Sequence, residues 1–464
     1  MTDFADFSVA DLTNAYREGW LGPVEAFEAV AARVEACEPT LNALWAIDLD
    51  GARAAAKASQ SRWKAGEPLS DLDGVPCTIK ENIATKGAPT PLGTAATELR
   101  PAERDSPPAA RLREAGAVIF AKTTMPDYGM LSSGLSSFHK LARNPWDVSQ
   151  NPGGSSAGAG AAAAAGYGPC HLGTDIGGSV RLPGDWCGVF ALKPSLGRIP
   201  IEPPFPGRVA GPMTRTVDDS AAMMAILSQP DPRDGMSLPP ADLDWRIAPA
   251  SVRGLRVGLW LDAGFGLPLN AEVRAAVESC AKALAQEGAD IVEIKPFMTP
   301  AMLDGVDRFW RARAFVDMSK LTPERRAKIL PFIRDWAAPG ASYSGAEVYE
   351  GYAQMHVMRD ATLAATRGVD LMLSPVAPIV GFSADAAGPT GDPATSLAHI
   401  GFTVGYNMSE QPAASVNWGY SSKGMPIGVQ LAAARFADVA VLRAAKLIEA
   451  LRPAQSPWPT GPFR

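Results

Sequence analysis

The chain has few of the residues that usually carry nucleophilic or metal chemistry. It holds four histidines and five cysteines in 464 residues. Cys37, Cys77, Cys170, Cys187 and Cys280 are odd in number, scattered, and never spaced C-x-x-C. Neither a disulfide framework nor a thiolate zinc site is expected, so no metal is assigned. Small buried residues in a reduced, cytoplasmic setting fit all five. None of His139, His171, His356 and His399 stands in a recognisable catalytic context. Charge of one sign is also missing: the net charge is −6, with no block of like residues. A basic footprint for nucleic acid is therefore not expected. Long apolar runs are absent too. The longest, "AGAGAAAAAG" at 157–166, is too short and too small-sided to span a bilayer. The opening "MTDFADFSVADLTNAYREGW" carries acids early and no apolar segment, so neither a signal peptide nor a membrane partner is expected. No internal repeat is visible.

What is present points to a large α/β enzyme. The chain is 47% hydrophobic, ample for a sizeable core. Residues 8–65 read as helices, with Ser8 placed to cap the first. "DGVPCTIK" (73–80) reads as a strand ending at Lys80, "PAARLREAGA" as a helix and "VIFAKT" as a buried strand. Residues 129–158 are dense in Gly, Ser, Asn and Pro, an ordered loop of the length that is usually functional. "QPDPRDGMSLPPAD" (229–242) is the best linker candidate. Beyond it "GLRVGLW", "AEVRAAVESCAKALAQEGA" and "ADIVEI" form a βαβ pattern, and "VDLMLSPVAP" and "GMPIGVQLAA" read as buried strands.

Chemistry concentrates around serine and glycine. "GSSAG" at 154–158 matches the G-x-S-x-G elbow with Ser156 as nucleophile, but Pro and Asn in "RNPWDVSQNPG" interrupt the strand that an elbow requires. "SFHK" at 137–140 matches S-x-x-K, but lacks the S-D-N and K-T-G partners of that class. A third reading joins "GGSSAG", "GTDIGGSVR" and Lys80. A buried strand-end lysine can serve as a base, because burial disfavours its ammonium form. A partly solvated strand-edge residue is the plain alternative for Lys80 alone. In "DIGGS", the N–H groups of Ile176, Gly177, Gly178 and Ser179 can converge on one point where no Cβ intervenes. Such a nest would stabilise the oxyanion of a tetrahedral intermediate, where one lost donor costs roughly 3–4 kcal/mol. No G-K-[ST] or G-x-G-x-x-G context supports a phosphate loop instead.

With these residues in view, the chain resembles the amidase signature family, in its free-standing bacterial form. The likeness runs through "DLDGVPCTIKENI", "AKTTMPDYGM", "RNPWD", "NPGGSSAGAG", "GTDIGGSVRLPGDWCGVFALKPSLGRIP", "GPMTRTVDD", "SPVAP" and "GMPIGVQLAA", in that order. It implies a single α/β domain over 1–464, a central mixed twisted sheet with helices on both faces. Within it lie an N-terminal helical region (1–65), a catalytic core (66–230) and a second half (231–464) that completes the sheet and the substrate funnel. It also implies a Ser–cis-Ser–Lys triad: Ser179 as nucleophile, Ser155 as the bridging serine after a cis Gly154–Ser155 bond, and Lys80 as base. Ser155 and Ser179 stand 24 positions apart, the family's spacing. Ser156, Asp175 and Arg181 would brace the loop, and Gly129, Met130 and Leu131 would line the acyl pocket. Two departures are visible, Ala157 in "GGSSAG" and Glu81 after Lys80.

The resemblance implies hydrolysis of a carboxylic amide through an acyl-enzyme, without cofactor. The partner would be a small-molecule amide, with a homodimer as one permitted state. Aromatics in 300–355 would favour an aryl or alkyl acyl group if they face the funnel; helical packing is the competing reading. Two alternatives stay open. One is the glutamine-hydrolysing A subunit of a tRNA-dependent amidotransferase, whose loop resembles "AMGSSTENSAFGP" where this chain has the more apolar "GMLSSGLSSFHKL". The other is an inactive binding or scaffold protein on the same fold.

Overall fold

Alternation of residues along the strands decides which helices each face of the sheet meets. The computed structural model describes residues 3–461 and Phe463. Its strands are β1 (Leu44–Trp45), β2 (Pro76–Lys80), β3 (Val118–Thr123), β4 (Cys170–Asp175), β5 (Phe190–Lys193), β6 (Val209–Thr214), β7 (Arg256–Leu259), β8 (Asp290–Glu293), β9 (Leu371–Pro375), β10 (Ala413–Tyr420) and β11 (Pro426–Ala432). They join in one sheet of order β1-β3-β2-β4-β6-β5-β10-β11-β9-β7-β8. The sheet is mixed. β2 runs parallel to β3 and β4, and β7 parallel to β8 and β9, while the central pairs β4–β6, β6–β5, β5–β10 and β10–β11 are antiparallel.

On one face Cys77, Ile79, Leu172, Leu371 and Leu373 pack against the helices Val9–Glu18, Val217–Leu227, Ala271–Gln286 and Asp438–Leu451. On the other, Phe120 and Ala121 meet the helices Pro23–Leu41 and Ala157–Ala165, and Met372 meets Pro300–Ser319. Leu371 and Leu373 thus go one way and Met372 the other, as a period of two requires. The alanine-rich helix is buried on every side, which side chains of a single methyl group permit.

Most of the expected elements are found. Ser8 caps Val9–Glu18 in a capping box with Asp11, and β2 ends at Lys80. Residues 229–242 carry no helix or strand. The two halves of the chain nevertheless share one sheet, because β10 pairs with β5. Unforeseen were β1, β4, β5, β6 and β10. β1 has two residues and β5 four, and β6 carries Gly211–Pro212 within "VAGPMT", which in sequence looks like a turn. Among the described residues, no helix is long and apolar enough to cross a membrane.

Candidate active site

Lys80 is the last residue of β2, and its side chain is fully buried. Its Nζ lies 2.8 Å from Ser155 Oγ, 3.0 Å from Ser156 Oγ, 3.0 Å from Thr174 Oγ1 and 3.4 Å from the Thr174 carbonyl. Burial pushes the lysine well below the ordinary amine range, and the charge of Arg208 adds to this against Asp175 and Glu81. A neutral amine has two N–H bonds and one lone pair. Ser156 Oγ donates to the Thr174 carbonyl at 3.1 Å and accepts from the Thr174 N–H at 3.2 Å, so towards Lys80 it is an acceptor. Thr174 Oγ1 already accepts from Asn82 Nδ2 at 3.0 Å and also receives a Lys80 N–H. In an uncharged lysine, two N–H bonds to these oxygens would leave the lone pair for Ser155 Oγ; as an ammonium, Nζ donates there instead.

Ser155 follows a cis Gly154–Ser155 peptide bond, as anticipated. Ser155 and Ser179 both line one cavity of about 450 Å3, a size ordinary for small-molecule sites. Ser179 is half-buried, and its Oγ makes no hydrogen bond to the protein among the described residues. The two serine loops are tied directly, the Ser156 N–H donating to the Ser179 carbonyl at 3.1 Å.

The turn before Ser179 is built around Asp175. Its carboxylate accepts from the N–H groups of Gly178 at 2.8 Å and Val180 at 3.1 Å. It also meets Arg181 through Nη2 and Nε, each at 3.0 Å. Burial alone would raise this carboxyl, but the charge and hydrogen bonds of Arg181 outweigh it and hold the group below the usual carboxylate range. Arg181 reaches on to Thr403, Asn407 and Gln430, fixing the turn to the C-terminal half. Ser156, Asp175 and Arg181 thus hydrogen-bond within and beside the loop that carries Ser179.

The oxyanion nest needs one correction. The Gly178 N–H was expected to join it, but that group is taken by the Asp175 carboxylate. The tight turn brings it there: Gly178 adopts φ 123°, and its N–H meets the side chain of Asp175, the last residue of β4. The N–H groups of Ile176, Gly177 and Ser179 have no acceptor among the described residues, and all three residues line the cavity.

Gly129, Met130 and Leu131 line the cavity as expected, and a Cβ on Gly129 would stand 3.3 Å from Ser155 Oγ. The aromatics of 300–355 divide. Trp310 and Trp336 face the cavity, whereas Tyr352 packs on Phe309 and His356, and Tyr349 is exposed. None of the four histidines lines the cavity. His171 bridges Thr78 and Gly168, and His139 pairs with Glu81. Missed in the sequence were Tyr128, Thr174, Phe205, Arg208, Arg313, Leu397 and Ile400. Only Thr174, beside Asp175 in the glycine-rich run, carried a local signal. No group of three or more His, Cys, Asp or Glu side chains is placed to hold a metal among the described residues.

The amidase family model matches residues 25–442. The chain belongs to the amidase family. Its relatives include A subunits of glutamyl-tRNA(Gln) amidotransferase. That of Anaeromyxobacter sp. (strain K) is 35% identical over 92% of each chain, and that of Solidesulfovibrio magneticus 34% identical over 98% of this chain and 99% of its own. Among solved structures, a bacterial aryl acylamidase of the amidase signature family superposes with a TM-score of 0.89 at 29% identity, covering 98% of both chains. A 6-aminohexanoate cyclic dimer hydrolase gives 0.85 at 26% identity, again over 98% of both. Like those neighbours, this amidase is an amide-hydrolysing enzyme.

Proposed function

We propose that this amidase cleaves an amide whose acyl part is aryl or alkyl, with Ser179 as nucleophile, Ser155 as bridge and Lys80 as base. Neutral Lys80 takes the proton of Ser155, which takes that of Ser179. Ser179 Oγ attacks the amide carbonyl, and the N–H groups of Ile176, Gly177 and Ser179 receive the oxyanion. The relay returns a proton to the nitrogen, ammonia or an amine leaves, and water enters by the same relay to release the acid. The observation that carries the acyl preference is the wall beside Ser179, formed by Met130, Leu131, Trp310, Trp336, Leu397 and Ile400.

A second reading, glutamine hydrolysis as an amidotransferase A subunit, is favoured by sequence. The relatives at 34–35% identity, over nine-tenths or more of both chains, are such subunits and support it better than the free-standing reading. Ammonia release from benzamide, phenylacetamide, indole-3-acetamide, aliphatic amides and glutamine separates the two. Turnover of aryl or alkyl amides, abolished in Ser179→Ala, is the expected result. Turnover of glutamine alone would replace the first reading by the second. Equal activity in both proteins would remove Ser179 from the mechanism.

A further inference from the structure

Two arginines on the cavity wall have no carboxylate partner. Arg208 precedes β6, and Arg313 lies one helical turn beyond Trp310 in Pro300–Ser319. Both line the cavity that holds Ser155 and Ser179. Of the five donors on a guanidinium, Arg208 uses one, from Nη1 to the Pro203 carbonyl at 3.2 Å. Arg313 makes no hydrogen bond or ion pair among the described residues. Its guanidinium lies over the Phe205 ring, 4.6 Å from the centroid. The one acidic side chain at the rim, Asp317, is engaged with Lys320 at 3.0 Å.

The charge of Arg313 disfavours the cation on Arg208, and the one carboxylate that offsets the burial of Arg313, Asp317, forms no ion pair with either arginine among the described residues. Burial and the charge of Arg313 push Arg208 down to about 10, and a guanidinium keeps its proton at neutral pH. Guanidiniums with free planar forks match carboxylate geometry, with two charge-assisted bonds, whereas a neutral amide offers them one uncharged carbonyl acceptor. We infer that the substrate is an amide that also carries a carboxylate, received by Arg208 and Arg313 while its apolar body lies along Trp310. This deepens the function proposed above and rests on it for the chemistry, though not for the binding.

Paired probes that differ only in the anion test it: adipamate against hexanamide, and terephthalamate against para-toluamide. In the wild type, kcat/KM should favour the carboxylate of each pair by at least about tenfold, the scale of a charge-assisted pair. Arg313→Gln should remove most of that preference, and Arg313→Lys should restore part of it. Binding to Ser179→Ala, measured by calorimetry, should show the same preference without turnover, and Ser179→Ala/Arg313→Gln should lose it. Equal affinity within each pair, no saturable binding of either carboxylate, or a preference unchanged by Arg313→Gln would overturn the inference. Binding with the preference but no turnover by the wild type would leave it standing and overturn the catalytic reading instead.

Discussion

Lys80 shows how much one residue's chemistry depends on what surrounds it. Its place at the end of a buried strand was legible in "VPCTIK", because apolar residues and a terminal lysine suffice to suggest it. The ring of Ser155, Ser156 and Thr174 oxygens was not, since those residues come from the loop before the alanine-rich helix and from β4, both far from Lys80 in sequence. Only an uncharged amine can accept a proton, and burial and Arg208 depress this one. Activity should therefore extend below the ordinary lysine range and fall as pH drops through that depressed value. Glu81 opposes the depression, so Glu81→Gln should move the acid limb of kcat/KM to lower pH. A pH–rate profile checks this, and an upward shift would contradict it. Arg208 and Arg313 were illegible for a related reason: a loop and a helix bring them together, and neither bears a local motif.

At the scale of the element, the decisive piece is the turn between β4 and the helix Arg181–Trp186. The sequence showed that its glycines clear space, but not that they do different work. Gly178 adopts φ 123°, and a Cβ there would meet Thr403 Oγ1 at 2.6 Å and Leu182 Cδ1 at 2.9 Å. Gly178→Ala should destabilise the fold by roughly 1–3 kcal/mol and lower kcat sharply, since the nest shifts with the turn. A Cβ on Gly177 would meet side chains alone, the Trp310 ring at 3.2 Å and Ile400 Cδ1 at 3.5 Å, which a shift of a few tenths of an ångström relieves. Gly177→Ala should cost under about 1 kcal/mol and act mainly on KM. Denaturant melts and steady-state kinetics on both variants test the contrast. Elsewhere, elements with clear periodicity were readable, while β6, with Gly and Pro inside it, is a strand because β4 and β5 flank it.

Across the whole molecule, the site depends on both halves of the chain. Arg181 is buried between Asp175 and the C-terminal residues Asn407 and Gln430. Arg181→Met would leave Asp175 buried without its cation, and should cost roughly 3–5 kcal/mol in global stability. Denaturant unfolding measures that loss, and a change below about 1 kcal/mol would show the bridge to be dispensable. The central claim, that Ser179 is the nucleophile, is tested most directly by covalent labelling. A fluorophosphonate probe followed by peptide mass spectrometry should place a single adduct on Ser179 in the wild type. The adduct should be absent in Ser179→Ala and strongly reduced in Lys80→Ala. Labelling of another serine, or equal labelling of Ser179→Ala, would contradict the mechanism.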